Sequence, residues 1–218
     1  MRKGRVAIIN PNSTQAVTDG ISRAVEGFRF SDGPAIDCLT LAEGPPGIET
    51  DQHVQDVIDP LCRLITDGVA DAYVIACFGD PGLDQARTVT DKPVFGIAQS
   101  AYATAIQRGE RFGIIAILEG SVPRHEAYVE RLGLTSRFAA SVPIGLGVVE
   151  LEEAPDALAR MEAVGKVLVG DRGADVLILG CAGMASKRQP LEEALGIPVI
   201  DPCQAAAAQA VAALVTAG

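Results

Sequence analysis

Apolar residues in this 218-residue chain come in two rhythms. Short, near-continuous runs such as RVAII at 5–9, AYVIA at 72–76 and VLILG at 176–180 end at Asn, Cys or Gly and suit strands buried on both faces. Longer stretches between them mix apolar and polar residues as helices do. In the first half this predicts strands at 5–10, 35–41, 72–76 and 93–97, with helices near 13–27, 51–67 and 81–89. In the second half it predicts strands at 111–117, 138–142, 175–180 and 197–200, with helices near 121–132, 152–171 and 187–194. An Ala-rich helix at about 203–217 closes the chain. Alternating strands and helices imply parallel sheets joined by right-handed crossovers. The expected class is α/β.

The pattern occurs twice. Arg5–Asn10 (RVAIIN) aligns with Arg111–Ala116 (RFGIIA), Cys77 with Cys181, and PVFG from Pro93 with PVID from Pro198, all about 105 residues apart. Gln99 and Gln204 follow the last pair at matching distances and open Ala-rich stretches. Two pseudo-symmetric α/β sandwiches with a cleft between them follow from this. Residues 1–97 form the first, joined by the terminal helix within 203–218, and residues 98–202 form the second. No linker separates them, since 98–107 runs straight into the second half, so an exchange of helices is expected.

Composition narrows the function classes. Eighteen Lys and Arg against 28 Asp and Glu give a net charge of −10, and no basic cluster exceeds the Lys187-Arg188 dipeptide. Nucleic acid and anionic membrane surfaces are thus unsuitable partners. Gly, Pro, Asp or Arg interrupts every apolar run before membrane-spanning length, and the basic start of the chain lacks a signal-peptide core, so a cytoplasmic location is expected. Five cysteines at wide spacing without CxxC, and only two histidines, point to reduced thiols and no metal site. GxGxxG and GxxxxGK[ST] do not occur, so no nucleotide cofactor is expected.

The chemistry-bearing residues lie at strand ends, where open α/β sheets place ligands. The NPNST corner at 10–14 offers backbone N–H groups and a helix start to an acceptor. Cys77 and Cys181 each end an apolar strand and open a Gly-rich turn. A helix N-terminus after such a strand lowers a thiol pKa, and two thiols sharing a cleft push their pKa values apart. One then acts as base on one face of a carbon while the other, as acid, returns a proton to the opposite face. Cys38, Cys62 and Cys203 read as packing residues, His53 and His125 as solvated helix positions, and Asp80 in FGDPG as a turn former that could also tune the thiol.

IINPNST at 8–14, IACFGDPGLDQAR at 75–87 and LGCAGM at 179–184 resemble the aspartate/glutamate racemase superfamily, within it the hydantoin racemase branch that includes allantoin racemase. The resemblance continues through KPVFGIAQSA at 92–101 and IPVIDPCQAA at 197–206. It implies a cofactor-independent racemase or epimerase acting beside a carbonyl, with Cys77 and Cys181 as the acid/base pair and Asn10 binding a ligand carbonyl. Backbone N–H groups at Phe78, Gly79, Ala182 and Gly183 would stabilise the enolate oxygen. Ser121, read as a helix cap, is a further substrate contact.

Two departures from the family pattern bear on the substrate. Amino-acid racemases of the superfamily tend to carry Asn-Thr after the first cysteine and Thr after the second, whereas this chain has Phe78-Gly79 and Ala182-Gly183. Hydantoin racemases commonly carry a Thr pair where this chain has Ala116-Ile117. The expected ligand is a small molecule, a 5-substituted hydantoin or allantoin, and the expected assembly is a homo-oligomer. An amino-acid racemase, a decarboxylase of the same fold, and a non-catalytic small-molecule-binding protein remain the alternatives.

Overall fold

A computed structural model describes residues 4–216. The basic residues at 1–3 and the expected end of the last helix at 217–218 lie outside them. Two four-stranded sheets, all parallel, organise the chain. The first contains β1 (Arg5–Asn10), β2 (Ala35–Thr40), β3 (Ala72–Ile75) and β4 (Val94–Gly96) in the order β2-β1-β3-β4. The second contains β5 (Phe112–Ala116), β6 (Phe138–Pro143), β7 (Val176–Leu179) and β8 (Val199–Ile200) in the order β6-β5-β7-β8. Every expected strand is present and the order repeats, as the α/β reading requires.

Strand alternation sorts the core. Val6 and Ile8 point into one large cluster with Leu177 and Leu179 of the other sheet, so this core is continuous across both halves. Ala7, Ile9, Tyr73 and Ile75 face a second cluster on the outer side of the first sheet. Val176 and Ile178 face a third on the outer side of the second. Burial of both faces explains why the strands read as unbroken apolar runs.

The helices depart from expectation where proline or turn chemistry intervenes. The stretch 51–67 divides into α2 (Asp51–Asp56) and α3 (Ile58–Thr66), because Pro60 has no N–H for the Asp56 carbonyl. The stretch 152–171 becomes α7 (Val148–Glu153) and α8 (Ala157–Gly170), with Ala154 held extended before Pro155. The expected helix at 81–89 is one turn, α4 (Leu83–Ala86), since the FGDPG turn consumes its start. The remaining helices are α1 (Gln15–Ala24), α5 (Ile97–Arg108), α6 (Val122–Arg131), α9 (Arg188–Leu195) and α10 (Pro202–Thr216). None of the described helices is long and apolar enough to cross a membrane.

α5 follows the last strand of the first sheet but packs on β5, β7 and β8 of the second. α10 follows the last strand of the second sheet but packs on β1, β3 and β4 of the first, and the two helices pack on each other. Each sheet is thus covered by a helix that emerges from its twin.

Asp201 makes the β8–α10 corner. It is buried, Oδ1 accepts from the Gln204 backbone N–H at 2.8 Å, and Oδ2 has no partner among the described residues. Burial raises its pKa from 3.8 to about 6, against the backbone N–H groups of Gln204 and Cys203 and the charge of Arg188. A carboxyl with a raised native pKa stabilises the fold fully below the unfolded value, and that contribution is lost as pH rises through the native value. Asp201→Asn removes this penalty, so the stability of the variant relative to wild type should rise by about 2 to 3 kcal/mol between roughly pH 4 and pH 7. Urea midpoints across that range read the difference, and a difference independent of pH contradicts the assignment.

Candidate active site

Two equivalent backbone bonds set the site. The Ala76 N–H donates to the Ile9 carbonyl at 2.8 Å, and the Gly180 N–H donates to the Ile115 carbonyl at 2.8 Å. Each carries the sheet one residue past β3 or β7 and delivers the following cysteine to its carboxyl edge. At Gly180 the backbones approach so closely that a Cβ would lie 2.6 Å from the Ile115 oxygen. Cys77 and Cys181 then face one cavity of about 30 Å³, enough for a water or two. Asn12 and Phe78 of the first half and Ser121, His125 and Ala182 of the second also line it.

Burial governs the thiols. The Cys77 pKa is pushed well above its ordinary value, first by burial, then by the neighbouring Cys181 and by Asp80, while Arg124 pulls it down. The sequence reading expects a depressed thiol pKa from a following helix, and at Cys77 this is corrected. The FGDPG turn leads only to the four residues of α4, too short to present a helix dipole, and Cys181 is followed by a 3-10 stretch at Ala182–Lys187. Burial therefore favours the thiol form of Cys77. Because each sulfur opposes charge on the other, the pair carries one negative charge more readily than two.

Asp80 fixes the loop that carries Cys77. Its φ of 51° bends the turn, and its buried carboxylate accepts from Ala98 N–H at 2.8 Å, Gln99 N–H at 2.8 Å and the Tyr128 hydroxyl at 2.7 Å. A Cβ at Gly96 would lie 2.2 Å from its carboxyl carbon, so glycine at the end of β4 makes room for it. Burial, partly offset by these three bonds, raises the Asp80 pKa to about 6. The residue is a turn former, as expected, and it also ties the Cys77 loop to α5 and α6.

The other expected contacts divide. Asn10 is fully buried and committed to the NPN turn: its Nδ2 donates to Asn12 Oδ1 at 2.9 Å and Thr18 Oγ1 at 3.0 Å, and its Oδ1 accepts from Asn12 N–H at 3.2 Å. It does not reach the cavity, whereas Asn12 does. Asn12 Oδ1 is taken by Asn10 and by Thr14 N–H at 3.0 Å, which leaves its amide nitrogen for a ligand. Phe78 and Ala182 line the cavity, while Gly79 and Gly183 open onto adjoining pockets. Ser121 also lines it, but its hydroxyl donates to the Leu118 carbonyl at 2.6 Å and forms no cap bond. Ile117, one of the two positions without the Thr hydroxyl, supplies apolar wall.

Three wall residues escaped the sequence reading. Arg124 is held by Asp51 Oδ1 at 2.9 Å and the Glu49 carbonyl at 3.0 Å. Asn12 lies in the NPNST corner, which the sequence reading assigned to an acceptor through its backbone N–H groups, not through this side chain. His125 was expected to be solvated, but only 3% of it is exposed. It shares the buried stripe of α6 with Tyr128 and Val129, an i, i+3, i+4 spacing visible in the sequence. Phe78 packs edge-on against it, ring centroids 5.1 Å apart. Among the described residues no group of three His, Cys, Asp or Glu side chains could hold a metal ion.

Comparison with known proteins identifies the family. A family model described as Asp/Glu/Hydantoin racemase matches residues 6–210. The hydantoin racemase of Pseudomonas sp. (strain NS671) is 38% identical over 202 residues, covering 90% of this chain and 80% of that protein. That of Paenarthrobacter aurescens is 36% identical, covering 93% of this chain and 87% of that protein. The structure of an allantoin racemase from Klebsiella pneumoniae matches with a TM-score of 0.91 at 32% identity, over 97% of this chain and 87% of that one. The chain therefore belongs to the Asp/Glu/hydantoin racemase family, and the enzyme is an isomerase of the racemase class.

Proposed function

We propose that the enzyme racemises a five-membered cyclic ureide, a 5-substituted hydantoin or allantoin, by proton transfer between Cys77 and Cys181 without a cofactor. The observation that carries this reading is the opening of both thiols, from equivalent strand ends of the two halves, onto one cavity. With one sulfur as thiolate, its electron pair takes the proton from C5. The C–H electron pair moves into the ring, and the adjacent carbonyl becomes an enolate. The partner thiol then gives its proton to the opposite face of C5, the carbonyl re-forms, and the negative charge has passed from one sulfur to the other. Atoms and charge balance, and the starting handedness decides which cysteine serves first.

The surroundings suit this chemistry. Phe78 and Ala182, which follow the cysteines, line the cavity, and their backbone N–H groups would receive a developing oxyanion, with those of Gly79 and Gly183 next along each turn. Asn12, rather than Asn10, offers an amide donor to a ring carbonyl. A groove of about 290 Å³ adjoins the cavity, sharing Ile48, Cys77, Phe78 and Arg124 and continuing along Val54, Pro81 and Ala127. It gives the C5 substituent a largely apolar channel, which favours hydantoins with hydrocarbon side chains over allantoin.

Cys77→Ser and Cys181→Ser should each lower racemisation of such a hydantoin by about 100-fold or more, the range expected for loss of a positioned acid or base. Polarimetry reads the rate and circular dichroism confirms the fold; unchanged turnover in both variants contradicts the proposal. Because burial keeps Cys77 protonated, its alkylation by iodoacetamide near pH 8 should run about 10-fold or more slower than that of a small free thiol. Peptide mass spectrometry measures this, and reaction at the rate of a free thiolate contradicts it.

A further inference from the structure

Two of the side chains on the cavity wall already have partners in the protein. The Ser121 hydroxyl donates to Leu118, and Arg124 donates through Nη1 to Asp51 and through Nη2 to the Glu49 carbonyl. His125 differs. Its Nδ1 lies 2.9 Å from Ser141 Oγ on β6, a buried bond that occupies that edge of the ring, and the residue lines the cavity. The edge-on contact with Phe78 and the burial of His125 and Ser141 fix the ring plane. Burial, helped by the charge of Arg124, lowers the His125 pKa to about 4, so the ring is neutral at physiological pH.

We infer that His125 is a further catalytic residue for the proposed reaction: its Nε2–H donates to the oxygen of the carbonyl beside C5, and Ser141 is the positioning residue that holds it in that tautomer. The inference rests on the cyclic-ureide reading above. When Ser141 donates to Nδ1, the single ring proton must sit on Nε2. A neutral N–H bonds the substrate carbonyl weakly and the enolate strongly, so the interaction grows as charge arrives on oxygen. The proton remains on nitrogen throughout, because the thiols perform every transfer. His125 thereby supplies a hydrogen-bond donor in a family member that lacks the Thr hydroxyls at 116–117. Asn12 holds the second ring carbonyl, where no charge develops.

The test combines tautomer and kinetics. The chain contains two histidines, so a His53→Gln variant assigns the 15N resonances of His125. The wild-type spectrum should show a neutral ring protonated on Nε2, and Ser141→Ala should mix the two tautomers. With a 5-substituted hydantoin, Ser141→Ala should lower kcat about 10-fold with KM within twofold, and Ser141→Thr, which restores the hydroxyl, should recover most of it. His125→Gln should lower kcat by about 100-fold or more, the scale seen when an oxyanion donor is removed. An Nδ1–H tautomer in wild type overturns the inference, as does a Ser141→Ala effect confined to KM, since Nε2 would then be accepting a ring N–H. Failure of the wild-type enzyme to exchange the C5 proton of any hydantoin or allantoin would instead overturn the functional reading beneath it.

Discussion

Everything at the centre of this enzyme depends on how far the middle strand pairs extend before the chain turns away. β1 with β3, and β5 with β7, run parallel until the backbone bonds from Ala76 to Ile9 and from Gly180 to Ile115, and the next residue in each case is a cysteine. One bond fewer in either ladder would release the thiol into a mobile loop, and one more would bury it within the sheet. The shared core beneath both sheets then brings the two carboxyl edges to a common space. Exchange of α5 and α10 reinforces this, because neither sheet can move without carrying the helix of the other.

The confined space between the two sheet edges sets the electrostatics. A thiol with little access to water resists ionisation, and at half-buried Cys77 that penalty exceeds what Arg124 restores. Asp80 adds to it from behind while serving as a three-way tie between the Cys77 loop, the start of α5 and Tyr128 of α6. The second half reaches the same end by different residues: Asp201, rather than a loop carboxylate, occupies the strand end and holds the start of α10. A carboxylate thus anchors each helix that follows a sheet, although its position in the repeat has shifted. In the proposed reaction the single negative charge stays within the cavity throughout, so proton transfer between the sulfurs requires no charge to enter or leave water.

The fold was legible because its signals are local. Buried parallel strands leave apolar runs, and the repeat of Arg5–Asn10, Cys77 and Pro93 at a common distance announces two similar halves. Helix boundaries were less legible, yet Pro60 and Pro155 mark the two breaks for chemical reasons present in the sequence. The site divided by contact range. Cys77 and Cys181 follow from strand position, and both reach the cavity. The choice between Asn10 and Asn12 depends on which amide the turn consumes, which motif spacing leaves undetermined. Asp80 meets Tyr128 across 48 residues, and His125 meets Ser141 through a helix packed on an edge strand. No local pattern contains those pairings, although the buried stripe of α6 already marked His125 as an inward-facing residue.

The account turns on two thiols working from opposite faces of one carbon, and isotope partition tests that most directly. A single enantiomer of a 5-substituted hydantoin is given to the enzyme in D₂O, and the reaction is stopped early. Deuterium at C5 is then measured separately in recovered substrate and in product by mass spectrometry. Two separate acids predict product that carries solvent deuterium while the recovered substrate retains its original hydrogen, from either starting hand. Equal deuterium content in recovered substrate and product would mean that one group both removes and returns the proton, and would contradict the account.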